Sequence, residues 1–266
     1  MLFRSVDCGV SDFEQIAYAK SIGIDTIVLD HHEIVGGLPD AVAVINPNRG
    51  DCEFPFKYLA GVGIAFNFLI ALRGTLRKEG FWKHDEYPNL KEYLDVVALG
   101  TIGDIAPLLG ENRIFAKIGL DLITEGKRPG IRALKEVCGI DGQMIDSFKA
   151  SFCLIPRINA AGRIASALDA VDLLLAENID QARQIAEKLD AHNRRRQAME
   201  KDILTDILGQ IGENPDVGKM SSLVFASDKW HPGVIGIVAS KLVDLFSRPA
   251  FVISLHDGVG KGSGRS

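Results

Sequence analysis

Two short β-forming stretches, residues 2–6 and 25–29, flank a single helical stretch, and this spacing constrains the fold more than any other feature of the chain. Ser11-Asp12-Phe13-Glu14 has the form of a capping box and predicts a helix start, and Gly23 predicts its end. A strand, a helix and a strand packed into about thirty residues form a crossover unit, so the two strands are predicted to be parallel neighbours. Their carboxyl ends then share one edge of a sheet, where open α/β folds place their ligands. Asp7 stands at one of those ends and Asp30-His31-His32-Glu33 at the other. No other part of the chain is so dense in side chains able to hold a metal.

Residues 41–45 read as a third strand closed by the turn Asn46-Pro47-Asn48, and residues 60–78 as an apolar helix. The glycines in Ala60-Gly61-Val62-Gly63 are read as helix packing rather than as a phosphate loop. Residues 90–99 are helical. Asp104 follows among Ile102, Ile105 and Leu108, so if buried it must be paired, hydrogen-bonded or metal-bound; a helix cap is the other reading. Short amphipathic helices fill residues 112–153. The segment 155–163, Ile-Pro-Arg-Ile-Asn-Ala-Ala-Gly-Arg, breaks the periodicity, and its two arginines and one amide among small residues suit contacts to a phosphate backbone.

Asn178 with Gln181 predicts the start of the longest helix, and Gly212-Glu213-Asn214-Pro215 its end. Its middle, residues 192–197, is polar on every face, as in helices that bridge domains across solvent. A second strand, helix and strand follow over 222–226, 233–246 and 250–255, with Trp230-His231-Pro232-Gly233 at the helix entry. Gly262-Ser263-Gly264-Arg265-Ser266 is predicted to form a nest for a terminal phosphate. The expected organisation is an α/β domain with a mostly parallel sheet over 1–178, a bridging helix over 179–212, and the first part of a smaller α/β domain over 213–266.

A net charge of −5 over 266 residues rules out a generally basic nucleic-acid surface, so any polyanion site must be a local patch of Arg and Lys. Four scattered cysteines with no CxxC pair argue against a zinc knuckle and a disulfide framework, and fit a reducing cytoplasm. The chain contains no apolar run of membrane length and no leader pattern, so a cytoplasmic location is expected. Both ends fall inside or beside elements that want neighbours, which predicts an interior piece of a longer protein.

Asp7, Asp30-His31-His32 and Asp104 form an oxygen and nitrogen donor set without thiolate, which suits Mn²⁺ or Mg²⁺ better than Zn²⁺. Carboxylates can bridge two such ions, and a two-metal clamp activates water for in-line displacement at phosphorus. Hydrolysis of phosphoesters is the chemistry this predicts.

The chain resembles the DHH phosphoesterases, and among them the single-strand-specific 5′-to-3′ exodeoxyribonucleases. The resemblance rests on VDCG at 6–9, DHHE at 30–33, LAGVGIAF at 59–66, GTIGDIAPL at 100–108 and GENRI at 110–114. It continues with PRINAAGR at 156–163, WHPGVIGIVASKL at 230–242 and GKGSGRS at 260–266. It implies that Asp7 bridges two ions, with His31 and Asp104 on one of them. His32 would lie by the scissile phosphate, oriented by Asp30. Arg157, Asn159 and Arg163 would hold the DNA backbone, and His231, Ser263 and Arg265 would grip the strand end from the smaller domain, called DHHA1. The resemblance further implies a role in DNA repair and recombination, single-stranded DNA as substrate, and a single-strand-binding protein and a helicase as partners. Family members also carry a DxDG-type motif on an upstream strand and an OB-fold downstream, both outside this chain, so the chain on its own is expected to be weakly active or inert. Two other readings are an oligonucleotide or cyclic-dinucleotide phosphodiesterase of the same superfamily, and a non-catalytic single-strand-binding scaffold. The segment 156–163 with the long helix counts against the first, and retention of Asp7, His31, His32 and Asp104 against the second.

Overall fold

β1 (Leu2–Val6), α1 (Phe13–Ser21) and β2 (Asp25–Leu29) form the predicted crossover in the computed structural model, which describes residues 1–83, 86–213 and 220–266. β1 and β2 run parallel, with Val6 opposite Leu29, and β3 (Ala43–Ile45) pairs in parallel on the other side of β2. β2 is therefore central. Val28 packs with Val10, Ile16 and Val44, whereas Leu29 packs with Leu59, Ile64, Phe66 and Leu94, the pattern of a strand covered on both faces. The capping box does not form: Asp12 precedes the first helical residue, and no side chain caps α1. A tight turn at Gly9, whose φ is +111°, takes up the chain first, with the Asp12 N–H donating to the Gly9 carbonyl at 3.1 Å.

α2 (Gly61–Lys78), α3 (Leu94–Gly103) and α4 (Gly110–Glu125) cover one face of this sheet. The glycines on these helices mark close approaches, as the packing reading required. A Cβ on Gly100 would lie 2.7 Å from a Val62 methyl, and one on Gly119 would lie 2.1 Å from the Leu94 carbonyl oxygen. α5 (Pro129–Val137) follows, and then α6 (Ser147–Lys149) continues through a π turn (Ala150–Leu154) into α7 (Ile155–Ile164). The predicted break at 155–163 is thus helical. Pro156, which has no N–H to donate, sits directly after the π turn, and Ala160 and Ala161 are fully buried, so the small residues serve helix packing.

The chain divides into two compact units, Met1–Arg132 with Ile140–Ile155, and Ala133–Gly139 with Pro156–Ser266. The division falls before the boundary expected at 178. The second unit holds α8 (Leu168–Leu175), α9 (Ile179–Glu213), β4 (Leu223–Ser227), α10 (Ile235–Phe246), β5 (Ala250–His256) and β6 (Val259–Arg265). The Asn178 side chain accepts from the Gln181 N–H at 2.8 Å and caps α9 as predicted. Of the predicted stop signal, Asn214 and Pro215 lie outside the described residues. The middle of α9 is solvated on one side only. Arg194, Arg195 and Gln197 are exposed, whereas Asn193 and Glu200 are buried and Arg196 bonds to both, reaching Glu200 at 2.8 Å.

β4 and β5 are parallel and complete the second crossover around α10, while β6 returns antiparallel to β5. Residues 262–265 are therefore strand rather than a nest. Asp257 and Gly258, with φ of 51° and 77°, make the hairpin turn. Gly264 leaves room for a cross-strand ring, since a Cβ there would lie 2.7 Å from Phe251. The core of this unit joins Ile203 and Ile207 of α9 to Leu223, Trp230, Val238, Leu242 and Val252.

Candidate functional site

In the first unit, β1 ends on Asp7, whose N–H still donates to the Leu29 carbonyl at 2.9 Å before the chain turns with φ of +65°. Aspartate tolerates that left-handed conformation better than most side chains. The turn brings Asp7 Oδ1 within 3.0 Å of His31 Nε2, and Asp104 Oδ2 lies 3.7 Å from the same nitrogen. Asp7, His31 and His32 each offer a ligand atom within 4.8 Å of the others.

Asp104 is the C-cap of α3 and caps it through its backbone N–H, which donates to the Gly100 carbonyl at 2.9 Å, so its carboxylate is left free to face His31. The Ile105 N–H donates to the Ile102 carbonyl at 3.1 Å and the Ala106 N–H to that of Thr101 at 3.2 Å, which closes the helix in a Schellman motif. The left-handed position of that motif usually holds glycine. Here it is Ile105, with φ of +57°, at a conformational cost of about 1–2 kcal/mol. The Asp104 side chain is 38% exposed, less buried than its apolar neighbours implied, because Ile105 itself points into solvent.

Asp30 lies behind the histidines with its side chain 1% exposed. Oδ2 accepts from the Val10 N–H at 3.0 Å; Oδ1 accepts from the N–H groups of His31 and His32 at 2.8 and 3.2 Å and lies 2.7 Å from His32 Nδ1. Burial works to raise its pKa, but the hydrogen bonds from Val10, His32 and His31 outweigh it and hold the carboxyl below its ordinary value. The bond to Asp30 raises His32 above the usual imidazole value; burial opposes this, and the charges of Asp30, Asp7 and Asp104 add to it. Desolvation raises Asp104; His31 opposes it and the like charge of Asp7 reinforces it. Two carboxylates that repel each other across an imidazole are a donor set that a divalent cation would relieve.

In the second unit, Arg163, His231, Ser263 and Arg265 gather around the first turn of α10. A Cβ on Gly236 would lie 3.1 Å from Ser263 Oγ and 3.5 Å from Arg265 Nη2, and one on Gly233 would meet the Arg163 carbonyl and the His231 ring. The Gly233 N–H donates to His231 Nδ1 at 3.1 Å, and Arg265 Nη1 donates to Ser263 Oγ at 3.2 Å. Partial desolvation, then the charges of Arg196 and Arg265, lower the pKa of the still accessible Arg163, with Glu200 opposing. Arg157 is placed differently. Its Nε donates to Asp190 Oδ1 at 2.8 Å, and its side chain is only 17% exposed. Asn159 is exposed on α7.

Residues 1–101 match the family model described as "DHH family, N-terminal domain". Over its whole length the chain is 44% identical to the single-stranded-DNA-specific exonuclease RecJ of Salmonella typhimurium, covering 47% of that protein. It is 40% identical to RecJ of Bacillus subtilis, covering 32% of it. The DHH match covers residues 1–101, and the similarity to RecJ runs over the whole chain.

Two solved structures are similar to the chain over both of its units. RecJ of Thermus thermophilus in complex with Mn²⁺ matches all of the chain with a TM-score of 0.82 at 32% identity, the chain covering 42% of it. A RecJ exonuclease bound to manganese matches 96% of the chain with a TM-score of 0.79, also at 32% identity, the chain covering 63% of it. The chain thus spans a third to a half of the length of the curated relatives it matches.

The DHH motif has supports that the sequence reading passed over. Asn46 and Asn48, read only as a turn, donate side-chain amides to the carbonyls of His32 and His31 at 2.9 and 2.6 Å. Gly61 is needed at the start of α2 because a Cβ there would lie 2.3 Å from Asp7 Oδ1. The doubled asparagine around Pro47 was the available signal for the first. No local signal marks the second, since it depends on the approach of α2 to the end of β1.

Proposed function

We propose that this chain is the catalytic and strand-gripping part of a metal-dependent exonuclease that hydrolyses phosphodiester bonds in single-stranded DNA from the 5′ end, in DNA repair and recombination. The observation that carries the reading is the convergence of Asp7 and Asp104 on one nitrogen of His31. The relatives named as single-stranded-DNA-specific exonucleases, and the RecJ structures with Mn²⁺ and Mg²⁺, support it. Asp7, His31 and Asp104 would hold Mn²⁺ or Mg²⁺, which supplies Lewis acidity at the phosphate when bound.

The protein's own groups account for the rest. Asp30 fixes His32 with Nδ1 as the donor, leaving Nε2 outermost on a ring that is 59% exposed. The raised pKa keeps that nitrogen protonated to higher pH, so it can donate to a phosphate oxygen. Arg163, His231, Ser263 and Arg265 would bind the backbone phosphates of the strand, with Arg157 and Asn159 beside them on α7. Among the described residues no helix is long and apolar enough to cross a membrane. The proposed location is the cytoplasm, with a single-strand-binding protein and a helicase as partners.

The test is a 5′-labelled single-stranded oligonucleotide incubated with the chain and Mn²⁺. Slow release of mononucleotides from the labelled end is expected, abolished by chelation and absent with duplex. Strand binding should weaken steeply between low and moderate salt. Release that ignores the chelator, or affinity that is flat with salt, would contradict the reading.

A further inference from the structure

The two histidines of Asp30-His31-His32 sit just past the end of β2, where the sheet ladder no longer supports the backbone. The last ladder bond on the β3 side runs from the Asp30 N–H to the Ile45 carbonyl at 3.0 Å. Beyond it, the four backbone polar groups of His31 and His32 all bond to side chains. Asp30 takes both N–H groups, Asn48 donates to the His31 carbonyl, and Asn46 donates to the His32 carbonyl. The two asparagines are themselves one unit, because the Asn48 N–H donates to Asn46 Oδ1 at 2.8 Å in an Asx turn. Asn46 is 2% exposed and continues β3, so the turn is anchored in the first unit's sheet.

We infer that Asn46-Pro47-Asn48 is a positioning clamp for the metal-facing histidines. It acts through their backbone carbonyls and fixes the direction in which the two rings leave the chain. The rings stand 4.7 Å apart with their planes at 58°, and His31 Nε2 meets both Asp7 and Asp104. A peptide plane freed on one side would let the His31 ring swing away from those carboxylates. Groups that orient a ligand without touching the ion commonly govern affinity by about 10–100-fold. The clamp rests on the metal-binding reading above and adds a determinant to it.

Asn48→Ala is the informative variant, because Asn48 is exposed and its side chain donates to the His31 carbonyl, so folding should be unaffected. Calorimetric titration of the chain with Mn²⁺ should show affinity about 10-fold weaker in Asn48→Ala. The melting temperature of the metal-free protein should not change, and raising Mn²⁺ should restore whatever hydrolysis the wild type shows. A purely structural role would lower the melting temperature and leave the affinity alone. Wild-type affinity in Asn48→Ala, with binding lost in His31→Ala, would overturn the clamp and keep the metal reading. Failure of the wild-type chain to bind Mn²⁺ would overturn both.

Discussion

Asp30→Ala is expected to destabilise the first unit by about 3 kcal/mol, read as a shift in its urea unfolding midpoint. Asp30 is almost wholly buried and takes bonds from three backbone N–H groups and the His32 ring. Truncation leaves those donors facing a cavity. Leaving a buried donor unsatisfied costs about 1–3 kcal/mol, and here several lose their acceptor together, although the groups nearest His32 can recover some water. The same change frees the His32 ring and the bend after β2, so metal affinity should fall along with stability. A loss below about 1 kcal/mol would mean that Asp30 is not the post around which the turn is built.

Gly61→Ala is expected to weaken Mn²⁺ binding by about 100-fold through a residue that carries no ligand atom. The added methyl would lie 2.3 Å from Asp7 Oδ1, 2.7 Å from Asp7 Cβ and 2.8 Å from Asp7 Cγ, distances no real contact allows. Rotating the carboxylate away relieves the oxygen but not Cβ, which is fixed by a left-handed backbone that has little freedom to move. The Asp7 carboxylate therefore moves off His31, or the start of α2 moves off the sheet. Alanine is otherwise the better helix former, so helix propensity alone predicts no loss of stability. Equal Mn²⁺ affinity in wild type and Gly61→Ala would show that Asp7 does not need its present position.

These two residues also mark the limits of what the sequence discloses. Strand, helix and strand over the first thirty or so residues were legible because crossover connections have few solutions, and that alone placed Asp7 beside Asp30-His31-His32. For Asp104 the helix-cap reading holds, but its burial does not, since the side chain is 38% exposed; the left-handed isoleucine that closes the helix after it had no signal. The predicted phosphate nest failed because glycines serve cross-strand rings as readily as anions: Gly264 makes room for Phe251, and Asp257-Gly258 was an overlooked hairpin signal. The segment 155–163 reads as a break in the helical period, whereas a π turn before Pro156 lets the helix run on. Arg157 looked like its neighbour Arg163 in sequence. Only the fold distinguishes the arginine paired with Asp190 from the one crowded by Arg196 and Arg265.

Asp7, His31 and Asp104 are proposed to form a cation site. Calorimetric titration of the chain with Mn²⁺, alongside His31→Ala at matched folding, tests it most directly. Saturable binding that His31→Ala abolishes is the predicted result; indistinguishable titrations of the two proteins would contradict it.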